Sequence, residues 1–150
     1  MKRLLSRCLT LLCIGLAIAC SKDDDILPTD QDIVLKDVPY GPDQRHRIDV
    51  YLPAGRNPET TKILVYIHGG GWMSGSKDDL NLDSQQLQLW RSLLPDVALV
   101  TLNYRLVTGE KNRYPAAEED IVQAMNHLFS KLHTYQLSSR TYMSGGSAGA

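Results

Sequence analysis

The end of the chain holds a serine in a setting that favours nucleophilic chemistry. Ser147 has one glycine two residues before it and another two residues after it, Gly145 and Gly149, and a short run of strand type precedes them. This spacing predicts a sharp strand-to-helix turn, because glycines avoid the clash that Cβ atoms would make where strand and helix pass closely. The turn would lift the serine hydroxyl clear of a sheet, where it could attack an acyl carbon and form a covalent intermediate.

A second glycine cluster, at residues 69–71, follows an apolar run at residues 62–67 that is typical of a buried strand. Acyl transfer builds a negative oxygen, which fixed backbone N–H groups in a dry pocket stabilise. The candidate donors are the backbone N–H groups of Gly70, Gly71 and Ala148. The loop-shaping residues are His68, Gly69, Gly145 and Gly149. This chemistry needs no metal and no cofactor, and we expect neither.

The two motifs, HGGG at residues 68–71 and GxSxG at residues 145–149, resemble those of α/β-hydrolase carboxylesterases of the hormone-sensitive-lipase and feruloyl or acetyl-xylan esterase type. The resemblance implies a serine carboxylesterase that hydrolyses acyl or acetyl esters, with plant polysaccharide as a candidate substrate, through an acyl-enzyme at Ser147. Trp72, directly after the glycines, would line the pocket. The NYRL sequence at residues 103–106 also resembles a family signature, in which Arg105 would brace the loops around the site.

The resemblance further implies the α/β-hydrolase fold, here the N-terminal part of a doubly wound, mostly parallel sheet that is truncated after the serine turn. Segments of strand and helix type alternate along the chain, as that fold class requires. The predicted strands are residues 33–35, 46–52, 63–67, 97–102 and 140–144, and the predicted helices are residues 84–94 and 115–132. Because the strands that end near Ile67 and Ser144 should run parallel, we expect Ser147 to lie beside the glycine loop.

Side-chain patterns predict which surfaces are buried. Residues 47–52 alternate polar and apolar, which indicates a strand buried on one face, whereas residues 63–67 do not alternate, which indicates cover on both faces. The first helix should bury Leu87, Trp90, Leu93 and Leu94. The second should begin with Pro115 at its first position. Its buried stripe should be Ala117, Ile121, Ala124, Met125, Leu128 and Leu132.

The sequence lacks an evident general base for the serine. A serine hydroxyl needs a histidine to accept its proton, and that histidine needs a carboxylate to orient it. In this fold both follow the serine in the chain, and only three residues follow Ser147. The four histidines have plainer explanations, His46 in a strand, His68 in the glycine loop, and His127 and His133 on a helix. We therefore expect the triad Asp and His beyond residue 150, and the 150 residues alone to be inactive.

Two alternative functions remain open at this point. A serine peptidase of the same fold would share the serine turn, although such peptidases do not typically carry the HGGG loop, and that loop favours ester substrates. A noncatalytic surface lipoprotein could use the pocket only to bind glycans or a partner.

Charge and the N-terminal segment bear on location. Of 16 basic residues, Lys2, Arg3 and Arg7 stand before any acid, so the rest of the chain is acidic on balance, with all 17 acids. This balance argues against a nucleic-acid partner. The basic start and the apolar run at residues 9–19 have the size of a secretory signal.

The end of that run, Leu16 to Cys20, resembles a bacterial lipobox. We expect residues 1–19 to be a lipoprotein signal peptide and Cys20 to carry the lipid, which would make the membrane a partner and the outer membrane the location. Residues 20–32 should form a flexible acidic tether, with the folded domain at residues 33–150. An ordinary secretory signal is the alternative. Lys22 and the acids after it also resemble a surface-display signal, with a merely solvated linker as the alternative. Cys8 and Cys13 lie inside the signal, so no disulfide framework is expected.

Overall fold

The computed structural model describes residues 25–150, and these form a five-stranded sheet with helices against it. The predicted signal peptide and the lipidation site Cys20 lie outside the described residues. The strands are β1 (Ile33–Pro39), β2 (Arg47–Leu52), β3 (Lys62–Ile67), β4 (Val97–Leu102) and β5 (Thr141–Gly145). The helices are α1 (Ser84–Leu93), α2 (Ala116–Ser130) and α3 (Leu132–Tyr135), and a 3-10 turn covers Ser147–Gly149. Among the described residues, no helix is both long and apolar enough to cross a bilayer.

The sheet order is β1-β2-β4-β3-β5, with an antiparallel half and a parallel half. The pairs β1–β2 and β2–β4 are antiparallel, whereas β3 runs parallel to both β4 and β5. In the parallel half, Ile67 pairs with Leu102 on one side and with Gly145 on the other. The C-terminal ends of these three strands therefore meet at one edge, which is where both glycine motifs begin.

The main core lies on one face of the sheet, under α2. Its β3 residues, Ile63, Val65 and Ile67, are buried together with Ala124 and Leu128 of α2. Part of the predicted α2 stripe is half-buried against this core, namely Ala117, Ile121, Met125 and Leu132. Two details differ from the prediction, because Pro115 stands just before the helix and Leu132 begins the separate short α3.

The burial predictions for β2 and β3 were wrong. β2 is buried on both faces from Ile48 to Leu52, while β3 alternates, with Leu64 and Tyr66 only half-buried. The second face of β2 carries Asp49 and Tyr51, and a cluster of charged side chains covers them. The polar residue Asp49 therefore does not indicate that this face of β2 is exposed to solvent.

The predicted apolar face of α1 was right for Leu87 and Trp90 and wrong for Leu93 and Leu94, which are exposed. The half-buried stripe is Leu87, Trp90 and Arg91, while Leu93 is 69% exposed. Arg91 is drawn to the inner side because its guanidinium donates to the carbonyl of Val97 and to the carboxylate of Asp32. Long basic side chains can cover apolar surface in this way while the charged end is paired.

Packed structure begins before Ile33, inside the segment predicted as a flexible tether. The N–H of Leu27 donates to the carbonyl of Thr134, and the buried Arg56 donates to the carbonyls of Leu27, Pro28 and Gln31. The guanidinium of Arg56 has several donors and so fixes the backbone of residues 27–31, a segment in which no helical or strand periodicity predicts ordered structure. Residues 27–32 therefore belong to the packed domain.

Candidate active site

The serine turn is a tight backbone structure that only glycines permit at two positions. A Cβ at Gly145 would lie 1.9 Å from the carbonyl oxygen of Gly149, and a Cβ at Gly149 would lie 2.3 Å from that of Ile67. Ser147 itself has φ +53, a left-handed conformation that is costly for a residue with a side chain. We call residues 145–150 the elbow. Its strain presents Ser147 as an exposed residue at the end of β5.

The glycine loop lies against the elbow, as the parallel arrangement of β3 and β5 predicts. A Cβ at Gly69 would lie 2.6 Å from the carbonyl oxygen of Gly146 and 3.5 Å from the Cβ of Ser147. Gly69, rather than Gly70 or Gly71, is thus the loop residue in direct contact with the serine turn. Only a residue without a side chain allows this approach.

Gly70 and Gly71 form the bend that follows. Their φ angles are +102 and +58, and the Gly70 carbonyl accepts hydrogen bonds from the N–H groups of Met73 and Ser74, both at 3.1 Å. Among the described residues, no hydrogen bond uses the N–H of Gly70 or Gly71. These two donors remain available to a ligand.

Two adjoining pockets flank this arrangement. The larger, about 650 Å³, lies against the elbow and is lined from β3, β5, α2 and residues 148–150. The smaller, about 390 Å³, lies against Gly71 and residues 112–115. Trp72 and Glu118 line both, so the predicted pocket role of Trp72 holds. Both volumes fall in the range of small-molecule sites.

His68 is fully buried beneath the loop and makes structural contacts there. Its Nδ1 lies 2.7 Å from the carbonyl oxygen of Gly69, and its ring stacks on Tyr104 with 4.3 Å between centroids. The Tyr104 hydroxyl donates to the His68 carbonyl at 3.1 Å. Burial lowers the pKa of His68, and the nearby cation of Arg45 lowers it further. The ring therefore orders the loop in its neutral form.

Similarity to known protein families and structures agrees with this geometry. The BD-FAE family profile matches residues 48–150, from β2 to the elbow. The chain belongs to the BD-FAE family of α/β-hydrolase esterases. Its relatives include carboxylesterases of Papaver somniferum and Arabidopsis thaliana.

Individual similarities cover most of this chain. Arylacetamide deacetylase of Bos taurus is 31% identical over 81% of the chain and 29% of its own length. A bifunctional GH43-CE protein of Bacteroides eggerthii superposes with TM-score 0.61 and 26% identity over 81% of this chain and 16% of that one. Esterase B of Lactobacillus rhamnosis, in a structure with a tributyrin phosphonate, gives TM-score 0.61 and 25% identity over 84% of this chain and 39% of that one. The chain spans 15% to 36% of the length of the curated relatives it matches.

The other histidines of this BD-FAE chain also lie in structural settings. His46 is buried, with Nε2 3.0 Å from the carboxylate of Asp120, and it stacks on Tyr40. His127 lies in the last turns of α2, and His133 lies in α3. These two helices lead the chain back to the N-terminal end of β5, away from Ser147. Among the described residues, no histidine is therefore placed to accept the proton of Ser147.

Arg105 joins the end of β4 to α2. Its backbone N–H and its Nε donate to the carboxylate of the buried Asp120 at 2.7 and 2.9 Å. Burial alone would raise the pKa of Asp120, but the hydrogen bonds from Arg105 lower it below its usual value. Its side chain also reaches the carbonyl of Ala116 and the carboxylate of Glu119, so among the described residues it braces α2, and its predicted role in bracing the loops stays a prediction.

Sequence reasoning missed two polar groups that hold the loop. Lys77, at the far end of the loop, is buried and lies 3.0 Å from both Asp49 and Asp37. Burial alone would lower the pKa of Lys77, but its hydrogen bonds to these acids and to Asp78 raise it above the usual value. Arg45, in the turn before β2, is the second group. No local pattern distinguishes either residue from an ordinary surface cation.

Among the described residues, no cluster of His, Cys, Asp and Glu could hold a metal ion.

Proposed function

We propose that this chain supplies the nucleophile and the oxyanion donors of a serine carboxylesterase that hydrolyses acyl or acetyl esters. The observation that carries the proposal is the close approach of the Gly69 backbone to the elbow at Gly146 and the strained Ser147, in a loop with two unused N–H groups. A strained nucleophile beside unpaired backbone donors is the arrangement that acyl transfer needs.

The reaction proceeds in two steps through Ser147. Its Oγ attacks the ester carbon as a base removes the proton, and the N–H groups of Gly70, Gly71 and Ala148 hold the negative oxygen of the tetrahedral intermediate. Collapse of that intermediate releases the alcohol and leaves the acyl-enzyme, which water then hydrolyses. We assign the base and its carboxylate to a His and an Asp outside these 150 residues.

The substrate we propose is a short acyl or acetyl ester, with plant polysaccharide as the carrier of the acyl group. The larger pocket beside the elbow has room for a short acyl group, and the ring of Trp72 lines both pockets. The similarity to a protein named a deacetylase supports an acetyl group. The similarity to the bifunctional GH43-CE protein supports a carbohydrate carrier.

The test is trapping and turnover at Ser147 in the hydrolase that contains these residues. Wild-type protein should hydrolyse p-nitrophenyl acetate and carry a phosphonate adduct on Ser147 by mass spectrometry. Ser147→Ala should remove most turnover and all adduct, while Ser139→Ala, at an exposed position before β5, should change neither. Adduct on another residue, or turnover indifferent to Ser147→Ala, would sink the assignment and favour a noncatalytic binding role.

We also propose that the mature protein begins at a lipidated Cys20 and is an outer-membrane lipoprotein. The support is the basic start, the short apolar run and the lipobox-like residues 16–20. Radiolabelled palmitate should enter the wild type, which should sediment with membranes. Cys20→Ala should lose both properties, and equal labelling of the two proteins would show that the cysteine is incidental.

A further inference from the structure

Arg45 connects three parts of the site from a turn outside it. Its Nε donates to the carbonyl of Tyr104 at 2.7 Å, and its Nη2 donates to the carbonyl of Gly75 at 2.9 Å. The same Nη2 lies 3.4 Å from Nε2 of His68 and from Oδ1 of Asn103. One half-buried guanidinium thus reaches the end of β4, the far end of the glycine loop and the histidine beneath that loop.

The turn that carries Arg45 is itself held in place. The carboxylate of Asp43 accepts the Arg45 N–H at 2.8 Å, and His46 donates its N–H to the carbonyl of Asp43 at 3.0 Å. An Asx turn of this kind fixes the backbone locally. The guanidinium is therefore delivered from a defined position.

The contact with His68 fixes the state of the imidazole. A carbonyl oxygen can only accept, so the 2.7 Å contact with Gly69 places the hydrogen on Nδ1. The lone pair of Nε2 then faces Arg45, which can only donate. Nδ1 in turn holds the carbonyl of Gly69, the residue whose backbone touches the elbow.

We propose that Arg45 is a positioning residue for the reaction at Ser147, because it holds His68 and the Gly75 carbonyl and so fixes both ends of the glycine loop against the elbow. This inference rests on the proposed esterase function. Arg45 acts through His68 and the loop backbone. Lysine would supply a cation but not the planar fork that spans Tyr104, Gly75 and His68.

The charged groups that face the His68 ring are Arg45 and Asp79. A proton on Nε2 would place two donors and two positive charges against each other, so the loop depends on neutral His68. Removal of Arg45 should leave Nε2 without its donor and make protonation of the ring easier.

The first arm of the test is spectroscopic and needs no turnover. Nitrogen-15 NMR of the His68 ring in the hydrolase that contains these residues should show one neutral tautomer with hydrogen on Nδ1. In Arg45→Met the ring nitrogen shifts should change, and the pH at which the ring titrates should rise. Arg140→Met is the matched control, because Arg140 is exposed at the opposite edge of the sheet, just before β5, and its side chain donates to the carbonyl of Glu59.

The second arm uses the active hydrolase and a short-chain ester. Arg45→Met should lower kcat by roughly tenfold to a hundredfold, since small misplacement of oxyanion donors is costly. KM should stay within about twofold, because the loss falls on the transition state rather than on ground-state binding. Arg45→Lys, which retains the charge and serves if the methionine variant folds poorly, should show the same direction. Arg140→Met should leave kcat and KM unchanged.

Three results would overturn the proposal, namely unchanged His68 signals, a changed ring with an unchanged kcat, or an equal loss in Arg140→Met. If turnover proves independent of Ser147, the esterase proposal fails on its own, and the NMR arm still decides whether Arg45 sets the state of His68.

Discussion

The two halves of the candidate site, the glycine loop and the elbow, are held in place by different means. The loop is tied down by buried polar groups, with His68, Tyr104 and Lys77 all nearly inaccessible and each hydrogen-bonded. The elbow follows a strand whose Tyr142 and Met143 are 58% and 54% exposed. Its geometry comes from the close approach of backbone atoms around Gly145 and Gly149.

This difference has a consequence for how each half responds to change. A buried hydrogen bond or ion pair is lost when one partner is removed, and the other partner is then left unsatisfied in a low-dielectric setting, which is costly. A backbone turn that depends on missing Cβ atoms fails when an atom is added. Deletion of a polar group should therefore damage the loop, and addition of a methyl group should damage the elbow.

Gly145→Ala should give the largest loss of stability. Its Cβ would lie 1.9 Å from the carbonyl oxygen of Gly149, so the turn must open, at a cost of about 3 kcal/mol or more. Urea denaturation would measure this. Gly146→Ala is the matched control, because its Cβ would enter open space and its φ of -115 suits any residue. We expect the free energy of unfolding of Gly146→Ala to stay within about 0.5 kcal/mol of the wild type. Equal losses in the two variants would mean that the elbow does not depend on the missing Cβ of Gly145.

Lys77→Met should give the next largest loss, about 2 to 3 kcal/mol at neutral pH. Among the described residues, the fully buried Asp49 would then keep only Lys36 as a cationic partner. The pKa of Lys77 is raised when folded, so its contribution is complete below its ordinary value of 10.5 and declines as pH rises through the folded-state pKa. The variant should lose less stability than the wild type on going to alkaline pH. Lys36, whose pKa is also raised, should retain part of that dependence.

Denaturation curves at neutral and alkaline pH measure both effects. Lys111→Met, at an exposed lysine with only backbone hydrogen bonds, is the control. A Lys77→Met curve that matches this control would mean that the charged cluster does not hold the loop.

Tyr104→Phe should give the smallest of the three losses, about 1 kcal/mol, since the ring stack on His68 remains and only the hydroxyl is lost. Tyr114→Phe, at a tyrosine that is 82% exposed, should change nothing measurable. Thermal unfolding of both variants compares them. A loss in Tyr104→Phe as large as that in Gly145→Ala would place the weak point of the site in the loop instead.

Local patterns in the sequence predicted the elements and their meeting point well. The apolar run before HGGG and the spacing of GxSxG depend on neighbouring residues, and a parallel pairing of their strands was enough to bring Ser147 to the loop. The position of Arg105 just after β4 also follows from its local pattern. These features are local in the chain, so a single sequence displays them.

The polar groups that sequence reasoning missed have partners distant in the chain. Asp49 made β2 look half-solvated, yet Lys77, 28 positions later, buries it. The fork of Arg45 binds a carbonyl 59 positions later. Neither cation stands in a pattern that differs from a surface residue, so nothing in the sequence could select its partner.

By itself, then, the sequence determined which segments become strands and helices, where the backbone can turn without a Cβ, and which serine such a turn presents. Only the tertiary structure decided which charges are buried and what orients the glycine loop. The physical reason is that strand periodicity and glycine geometry arise from atoms a few bonds apart, whereas a buried ion pair or a bridging guanidinium forms only when the sheet has brought distant segments within hydrogen-bond reach.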